Sequence, residues 1–556
     1  MQINLSYAQS VYVPLNHPVY KFIDRLQTKG FLKNFTTGTK PYSRVETADF
    51  LIQTYNDFID QLSGTEKELL SYYEQEFAEE INQKEPSINI SNIAIPGWVD
   101  FTKSRLPDIF YGNYRNLLEI KKDKFNIFVD VIAHQDIRIN DLDSISSKDR
   151  INRYTTGIQV RGNLGENLGF FIDARNTKEW GNRKYRVGRD QTAPGLGWIN
   201  NMGDHQYHDE TIAYIVYNIA PFELEFGKNL NKWGPGYRGS LMLSDNATSY
   251  DLVKLKTRFW KFNFAHVFGY LQQFPRLVEQ RFDEEAGSKN KYSQKYIAAH
   301  RLELNLLEKL NLGFQEAVIY GQRGVEIAYL NPLMFLRSAE HYLGDQDNAL
   351  MGADINYSVK NGLRFYGEFL MDDIYLERLG TNWIGNKFAY IGGLHLTDPF
   401  NIKDTSLRLE YTRIKPFVYT HTYKINVYKH YDTGLGHYLP PNSDEIYLGI
   451  DHYFSKELYV DIEYSYIRHG KNPEGEFVGG NIDEPWMLHS DSEIRFLEGD
   501  VEKIHTVKLE FSYELFRNMF FRGEFEYMKG SNFTIQNIPG RNLKGLKFFT
   551  SIGINY

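Results

Sequence analysis

From about residue 115 onward the chain alternates between apolar and polar residues. Leu458, Val460, Ile462, Tyr464 and Tyr466 interleave with Asp461, Glu463 and Ser465, and Val507, Leu509, Phe511 and Tyr513 with Lys508, Glu510, Ser512 and Glu514. Leu407, Leu409 and Tyr411 alternate with Arg408, Glu410 and Thr412, and Met519, Phe521, Phe525 and Tyr527 with Arg522, Glu524 and Glu526. A period of two puts each set on its own face of a β-strand. One face is then apolar and aromatic, and the other carries charges of both signs. Such a sheet either wets one face in water or turns its apolar face to lipid.

The connections distinguish the two. Eighteen strands are expected, the first near 124–135, the fourth near 211–219 and the last three near 503–515, 519–529 and 544–556. Short turns such as Ala220-Pro221, Trp260-Lys261, Lys360-Asn361 and Ser455-Lys456-Glu457 alternate with long loops at 176–210, 230–250, 321–348, 415–444 and 469–502. Sorting short turns to one rim and long loops to the other is the habit of an outer-membrane barrel, with periplasm below and cell exterior above. The last strand, Leu546 to Tyr556, ends on an aromatic residue, as bacterial barrels commonly do. The stretch Asn116–Lys121 reads either as an extra strand or as an extension of the first.

Composition agrees. The chain has 40 Tyr, 38 Phe and 7 Trp, too many aromatics for a disordered chain. Mean hydropathy is −0.48, and the longest unbroken apolar run, Ile212 to Tyr217, falls far short of the roughly 20 residues of a membrane-spanning helix. A net charge of −8 gives nucleic acid no electrostatic footing as a partner. The absence of cysteine removes disulfides and thiolate chemistry.

The first residues differ in kind. Residues 1–8 read as the remnant of a signal peptide, 9–115 as a helical periplasmic region with a linker, and 116–556 as the barrel. Asn16 is placed to cap a helix carrying Val19, Phe22, Ile23 and Leu26 and ending at Gly30. Ser43 with Glu46 forms a capping box for a second helix, and Thr65 with Glu68 for a third.

Catalytic signatures are thin: no nucleophile elbow, phosphate-binding loop or zinc-protease motif is present. His205 and His208 have a metal-like spacing, and Asp345, Asp347 and Asn348 cluster oxygen ligands like part of a calcium loop. Ser240 or Ser244 beside Asp245 is the remaining nucleophile candidate. Each also reads as an ordinary polar loop, and no cofactor is expected.

Two long loops carry more information. Asn229 to Ala247 contains Gly234, Pro235, Gly236 and Gly239, turns that would display Trp233, Tyr237 and Arg238 on a compact loop. Leu330 to Asp354 contains Leu333, Met334, Phe335 and Leu336, too apolar for water, and is expected to fold inward into or across the barrel mouth.

These segments, with VPLNHPVYKFIDRLQTKGFL and GTKPYSR near the start, NKWGPGYRGSLMLSDNA, LNPLMFLR followed by DNALMGAD, EYTRIKPFVYTH and GHYLPPNSDE, resemble the capsule assembly protein Wzi family of Gram-negative outer membranes. The Tyr- and Lys-rich, Gly-poor flavour suggests a Bacteroidetes-type member. The resemblance implies an 18-stranded barrel with a helical N-terminal part. It also implies a lectin-like, non-enzymatic role in holding capsular or other surface polysaccharide, with outer-membrane lipids and a periplasmic or export-machinery component as further partners. Sugar binding needs aromatic faces and hydrogen-bonding side chains. The expected ligand-binding set is Trp233, Tyr237, Arg238, Asp245, Asn246, Arg337, Glu340, Asn348, Tyr419 and Tyr423. The competing readings are a channel, since 18 strands enclose a wide lumen, and an outer-membrane enzyme.

Overall fold

The computed structural model describes residues 11–33, 36–84, 115–122, 125–142, 149–182, 199–273, 278–283, 287–359, 362–535 and 538–555. The expected leader remnant 1–8, the stretch 85–114, the turn Lys360-Asn361 and the terminal Tyr556 lie outside the described residues.

Eighteen antiparallel strands close into one barrel: β1 (Phe125–Leu142), β2 (Asp149–Leu164), β3 (Leu168–Gly181), β4 (His205–Ile219), β5 (Phe222–Asn229), β6 (Tyr250–Phe259), β7 (Phe262–Leu271), β8 (Lys295–Leu307), β9 (Leu310–Gly321), β10 (Asn348–Ser358), β11 (Leu363–Asp373), β12 (Lys387–Thr397), β13 (Thr405–Ile414), β14 (Ser443–Tyr453), β15 (Leu458–Lys471), β16 (Asp500–Phe516), β17 (Met519–Ile535) and β18 (Ile538–Ile554). Ladder pairing from Gly545 opposite Leu142 to Ile554 opposite Ala133 seals β18 to β1. A short strand, Leu118–Lys122, pairs back on the start of β1, so the stretch before the barrel is an extra strand.

All eighteen strands fall where the alternation places them, but β1, β3, β4, β17 and β18 run longer. The stretch 530–543 is rich in Gly, Asn and Pro and reads as a loop, yet 530–535 and 538–543 pair across β17 and β18 with register irregularities at Gly530/Phe533 and Phe533/Ile535. Ladder hydrogen bonds need no apolar face, so periodicity does not register such an extension.

The alternation maps onto the wall. Phe226, Phe314, Phe365, Leu409, Ile450, Ile462 and Phe525 are exposed on the outside, and Phe259 and Trp260 stand bare at the short-turn rim, as in an aromatic girdle. Inward lie Glu225, Lys254, Arg301, Glu303, Asp354, Arg364, Glu368, Arg408 and Glu410, all buried. Buried charges need partners, and the N-terminal residues supply many of them.

Helix α1 (Val19–Lys29) enters the lumen from the short-turn end. Its Asp24 takes Arg364 and Arg408 of the wall at 2.6 Å each, and Arg25 pairs with Asp398 and donates to the Thr405 carbonyl at 2.8 Å. Burial would raise Asp24, but Arg364 and Arg408 hold its carboxyl well below the usual range. Gly30 ends α1 in the left-handed region with φ 76. Its start is not capped by Asn16: Pro18 is the cap residue and the His17 Nδ1 accepts the Val19 N–H at 3.1 Å.

Helix α2 (Arg44–Phe58) has the expected Ser43–Glu46 box. Glu46 reaches Lys256 at 2.7 Å and Arg258 at 2.5 Å; burial opposes ionisation, and these cations still bring it down to about 2. Helix α3 (Gly64–Glu76) is capped by Ser63 with Glu66, two residues before the Thr65–Glu68 box expected. Both pairs fit the same pattern, but Glu66 is the carboxylate that meets Arg25, at 2.7 Å, and Lys29, at 2.5 Å. With α4 (Ala78–Lys84) these helices bury Phe22, Leu26, Leu51, Leu70, Tyr73 and Phe77 against one another.

His17 gives this plug a pH dependence. Burial lowers its imidazole from 6.5 to about 4 despite Glu76 nearby. A depressed histidine leaves the unfolded chain binding the extra proton, so stability is full above pH 6.5 and falls towards pH 4. At about 1.4 kcal/mol per unit the loss amounts to roughly 3 kcal/mol. The protection factors of the α1 amides, taken against the intrinsic exchange rate at each pH, should fall between pH 6.5 and 4.5, and His17→Asn, which keeps an acceptor for Val19, should flatten that fall. An unchanged profile would mean that other groups set it.

Candidate functional site

The loop joining β5 to β6, residues 230–249, turns into the lumen from the long-loop end. Two wall carboxylates hold its backbone. Glu368 on β11 accepts the Gly236 N–H at 2.7 Å and the Leu241 N–H at 2.8 Å. Glu410 on β13 accepts the Tyr237 and Arg238 N–H groups at 2.7 and 3.0 Å, and the Tyr366 hydroxyl at 2.8 Å. Gly234 is required here: it has φ 126, and a Cβ would run into the Glu368 carboxylate. From the opposite end a strap at 36–42 comes in, and Thr39–Lys40 pair with Trp233 and Lys232 as a two-residue ladder. The chain thus spans its own lumen from both sides.

The loop between β13 and β14, residues 415–442, lies over this crossing. Tyr419 and Tyr428 stack at 5.5 Å, and their hydroxyls donate to the Leu241 and Met242 carbonyls at 2.6 and 2.8 Å. One continuous apolar core results, with Trp233, Met242, Tyr428 and Leu435 packed on Ile297, Ala317 and Ile319 of the inner wall.

The expected site residues divide accordingly. Trp233 is fully buried and Tyr419 is 2 % exposed, so neither is displayed; both are core, because an aromatic on a Gly-rich loop packs as readily as it projects. Asn348 and Glu340 are also buried, Asn348 donating to the Asn426 carbonyl at 2.9 Å and Glu340 pairing with Arg337 at 3.2 Å. Tyr237 is half-buried, with the Arg408 guanidinium 3.7 Å from its ring. Arg238 reaches Glu445 at 3.5 Å, Glu463 at 3.6 Å and the Tyr438 hydroxyl at 3.2 Å. Asp245 pairs with Lys232 at 3.1 Å, and Asn246 donates to the Gly434 carbonyl at 3.0 Å. Of the ten, Tyr423 presents a half-exposed ring on the long-loop face.

Tyr237 and Asp245 share a lumen cavity of about 250 Å³ with Tyr20, Lys21, Lys40 and Tyr459. Burial, with Lys232 beside it, lowers the Lys40 amine to about 8. The volume is below the roughly 300–1,000 Å³ of pockets that enclose drug-sized ligands. A polymer repeat needs a more open surface.

That surface exists on the long-loop face, where sequence reasoning missed part of it. The loop between β11 and β12 carries Tyr375, half-exposed, packed edge-on to Trp383 at 5.9 Å, with the Arg378 guanidinium 5.1 Å from the Trp383 ring. Trp383 bridges to Glu493 of the loop 472–499, which also presents Trp486. The loop was too short to attract notice, although a Tyr, an Arg and a Trp within nine residues was the available signal.

The metal and nucleophile candidates dissolve. His205 and His208 sit three apart on β4 and so face opposite sides of the strand, His208 buried and His205 only half so. Asp347 spends both oxygens on Arg323, at 2.9 and 2.5 Å, with the Tyr329 hydroxyl at 2.7 Å, so it is not free for a calcium loop with Asp345 and Asn348. Ser240 is buried, its amide donating to the Ser244 hydroxyl at 3.3 Å. Among the described residues one trio of ligand atoms, from Glu340, His341 and Asp345, lies within 4.8 Å of one another, with Glu340 already paired.

The family model described as "Capsule assembly protein Wzi" matches residues 135–544. Among solved structures the chain is similar to an Escherichia coli protein described as Wzi, an outer membrane protein involved in group 1 capsule assembly and a carbohydrate-binding β-barrel. Identity is 14%, coverage 99% of this chain and 100% of that one, and the TM-score 0.58, a likeness of fold. OccAB1 of Acinetobacter baumannii (9% identity, 77% and 96% covered, TM-score 0.44) and OccD3 of Pseudomonas aeruginosa (11%, 77% and 91%, 0.41) are more distant likenesses. No curated protein matches the sequence.

Proposed function

The chain belongs to the capsule assembly protein Wzi family, and we propose that it binds capsular or other surface polysaccharide and holds it at the cell surface without turning it over. The observation that carries this reading is the loop pinned across the lumen by Glu368 and Glu410. A barrel closed by its own chain is suited to holding a polymer outside, and this weighs against a channel for solutes or glycans. Tyr375, Tyr423 and Trp486 on the long-loop face, with the half-buried Trp383 packed on Tyr375, offer ring faces for sugar C–H surfaces. Contacts that are weak singly add up along a repeating polymer. In this reading the helices at the short-turn end face the periplasm, where they are placed to meet an export-machinery component.

Titration of the purified, folded protein with its own surface polysaccharide, alongside planar-bilayer conductance, tests the reading. Saturable binding without conductance supports it, and conductance without binding refutes it. Each aromatic contact is worth about 0.5–1.5 kcal/mol. Tyr423→Ala with Trp486→Ala should therefore weaken binding roughly tenfold and leave the barrel heat-modifiable. Undiminished affinity would move the contact surface elsewhere.

A further inference from the structure

The loop between β9 and β10 does not fold inward as its apolar residues suggested. On β8 and β9, Ile297, Ala299, Ala317 and Ile319 face the lumen core, so the alternate residues Tyr296, Ala298, Val318 and Tyr320 face out. It is this outer set that packs on Tyr329, Leu336 and Ala339 of the loop. Residues 322–347 therefore lie against the outside of the barrel.

Their depth is fixed by hydrogen bonds. The N–H groups of Leu336 and Arg337, opening the short helix Leu336–Tyr342, donate to the Glu316 carboxylate at 2.9 and 3.4 Å. Glu316 is the seventh of the 12 residues of β9, midway along the wall. It pairs across to His300, and His300 to His266, which makes a polar row on a surface that is otherwise apolar. Below the loop the same wall is bare: Phe314 is 53 % exposed, and Leu302 and Ile355 are exposed too.

Apolar and charged side chains divide along the segment, although the helix itself carries Arg337, paired with Glu340 at 3.2 Å, and the exposed His341. Where it leaves and rejoins the barrel, Arg323 binds Glu326 and Asp347 at 2.7 and 2.5 Å. At the far end, beside Glu316, come Leu333, 90 % exposed, and Phe335, 52 %; Ile327 and Tyr342 are also bare.

We propose that residues 322–347 are immersed in the outer leaflet, with Ile327, Leu333, Phe335 and Tyr342 in contact with lipid acyl chains. The segment covers the His266–His300–Glu316 row, so that the Glu316 charge is met by backbone N–H groups instead of hydrocarbon. The occupant is lipid because the exposed residues continue the barrel's own apolar belt on the same wall.

The cysteine-free chain permits a direct test. A bimane label at Leu333→Cys in the full-length protein, reconstituted in phosphatidylcholine bilayers, is compared with labels at Phe314→Cys on the bare wall and Asp491→Cys on an exposed loop. The expected result is loss of fluorescence to a nitroxide on the upper acyl chain matching the Phe314 label, with little loss to aqueous iodide. Iodide quenching like that at Asp491 would overturn the proposal by placing the loop in water. Protection from both quenchers would overturn it in favour of a second copy of the chain covering this face. Tyr342→Cys repeats the measurement should Leu333→Cys not fold.

Discussion

Replacing Glu368 and Glu410 together with alanine should free the loop 230–249 from the lumen wall while the barrel stays closed. The two carboxylates receive four backbone N–H groups, from Gly236, Leu241, Tyr237 and Arg238, at 2.7–3.0 Å. A buried hydrogen bond is worth about 0.5–1.5 kcal/mol net, and a buried N–H left without an acceptor costs a further 1–3 kcal/mol. Even two such losses exceed about 3 kcal/mol, or two decades in an opening equilibrium. The amides of those four residues should exchange at least a hundredfold faster, and Arg238 should become a site for trypsin. The strands do not depend on these bonds, so heat-modifiability on a gel should persist. Glu368→Gln with Glu410→Gln keeps acceptors in place and should show a much smaller effect. Continued protection in the alanine variant would mean that the Trp233–Tyr428 core alone holds the loop.

The limits of the sequence follow from what periodicity encodes. A period of two assigns Leu409 outward and Arg408 and Glu410 inward, and sorted loop lengths give a barrel and its two rims. The Ser43–Glu46 box is local chemistry, and it stands as read. Where a loop goes once it leaves a strand is not periodic information. Leu333 to Leu336 announce an apolar surface, but inward and outward folding satisfy that demand equally. The choice lies in Glu316, a charge on a lipid-facing position that needs the loop's N–H groups. Trp233 failed as a displayed residue for a related reason: an aromatic between glycines has one composition for stacking on sugar and for filling a core. The mixed charges of the lumen suited either water or a brace. What resolves them is the partner each finds far away in sequence, as Arg364 and Arg408 find Asp24.

The same long-range pairing makes Arg301 the costliest single side chain to remove. It is fully buried on β8, bidentate to Asp354 of β10 at 2.5 and 3.0 Å, and donates to the Thr39 hydroxyl of the strap at 3.0 Å. Glu303, one inward position along β8, lies 3.9 Å away and accepts the Gly38 N–H at 2.9 Å and the Thr39 hydroxyl at 2.6 Å. Arg301→Ala leaves two buried carboxylates without their cation, a change that costs about 3–5 kcal/mol. It should also loosen the strap, since the charge that orders Glu303 and Thr39 is gone. Urea unfolding of the lipid-reconstituted protein should show the loss. Removing both members, Arg301→Leu with Asp354→Leu, should recover much of it, because an apolar pair leaves only Glu303 to satisfy. If the double variant were as unstable as the single one, the guanidinium would be acting chiefly on Glu303 and the strap, and the contact between Thr39 and Trp233 would be what the pair exists to hold.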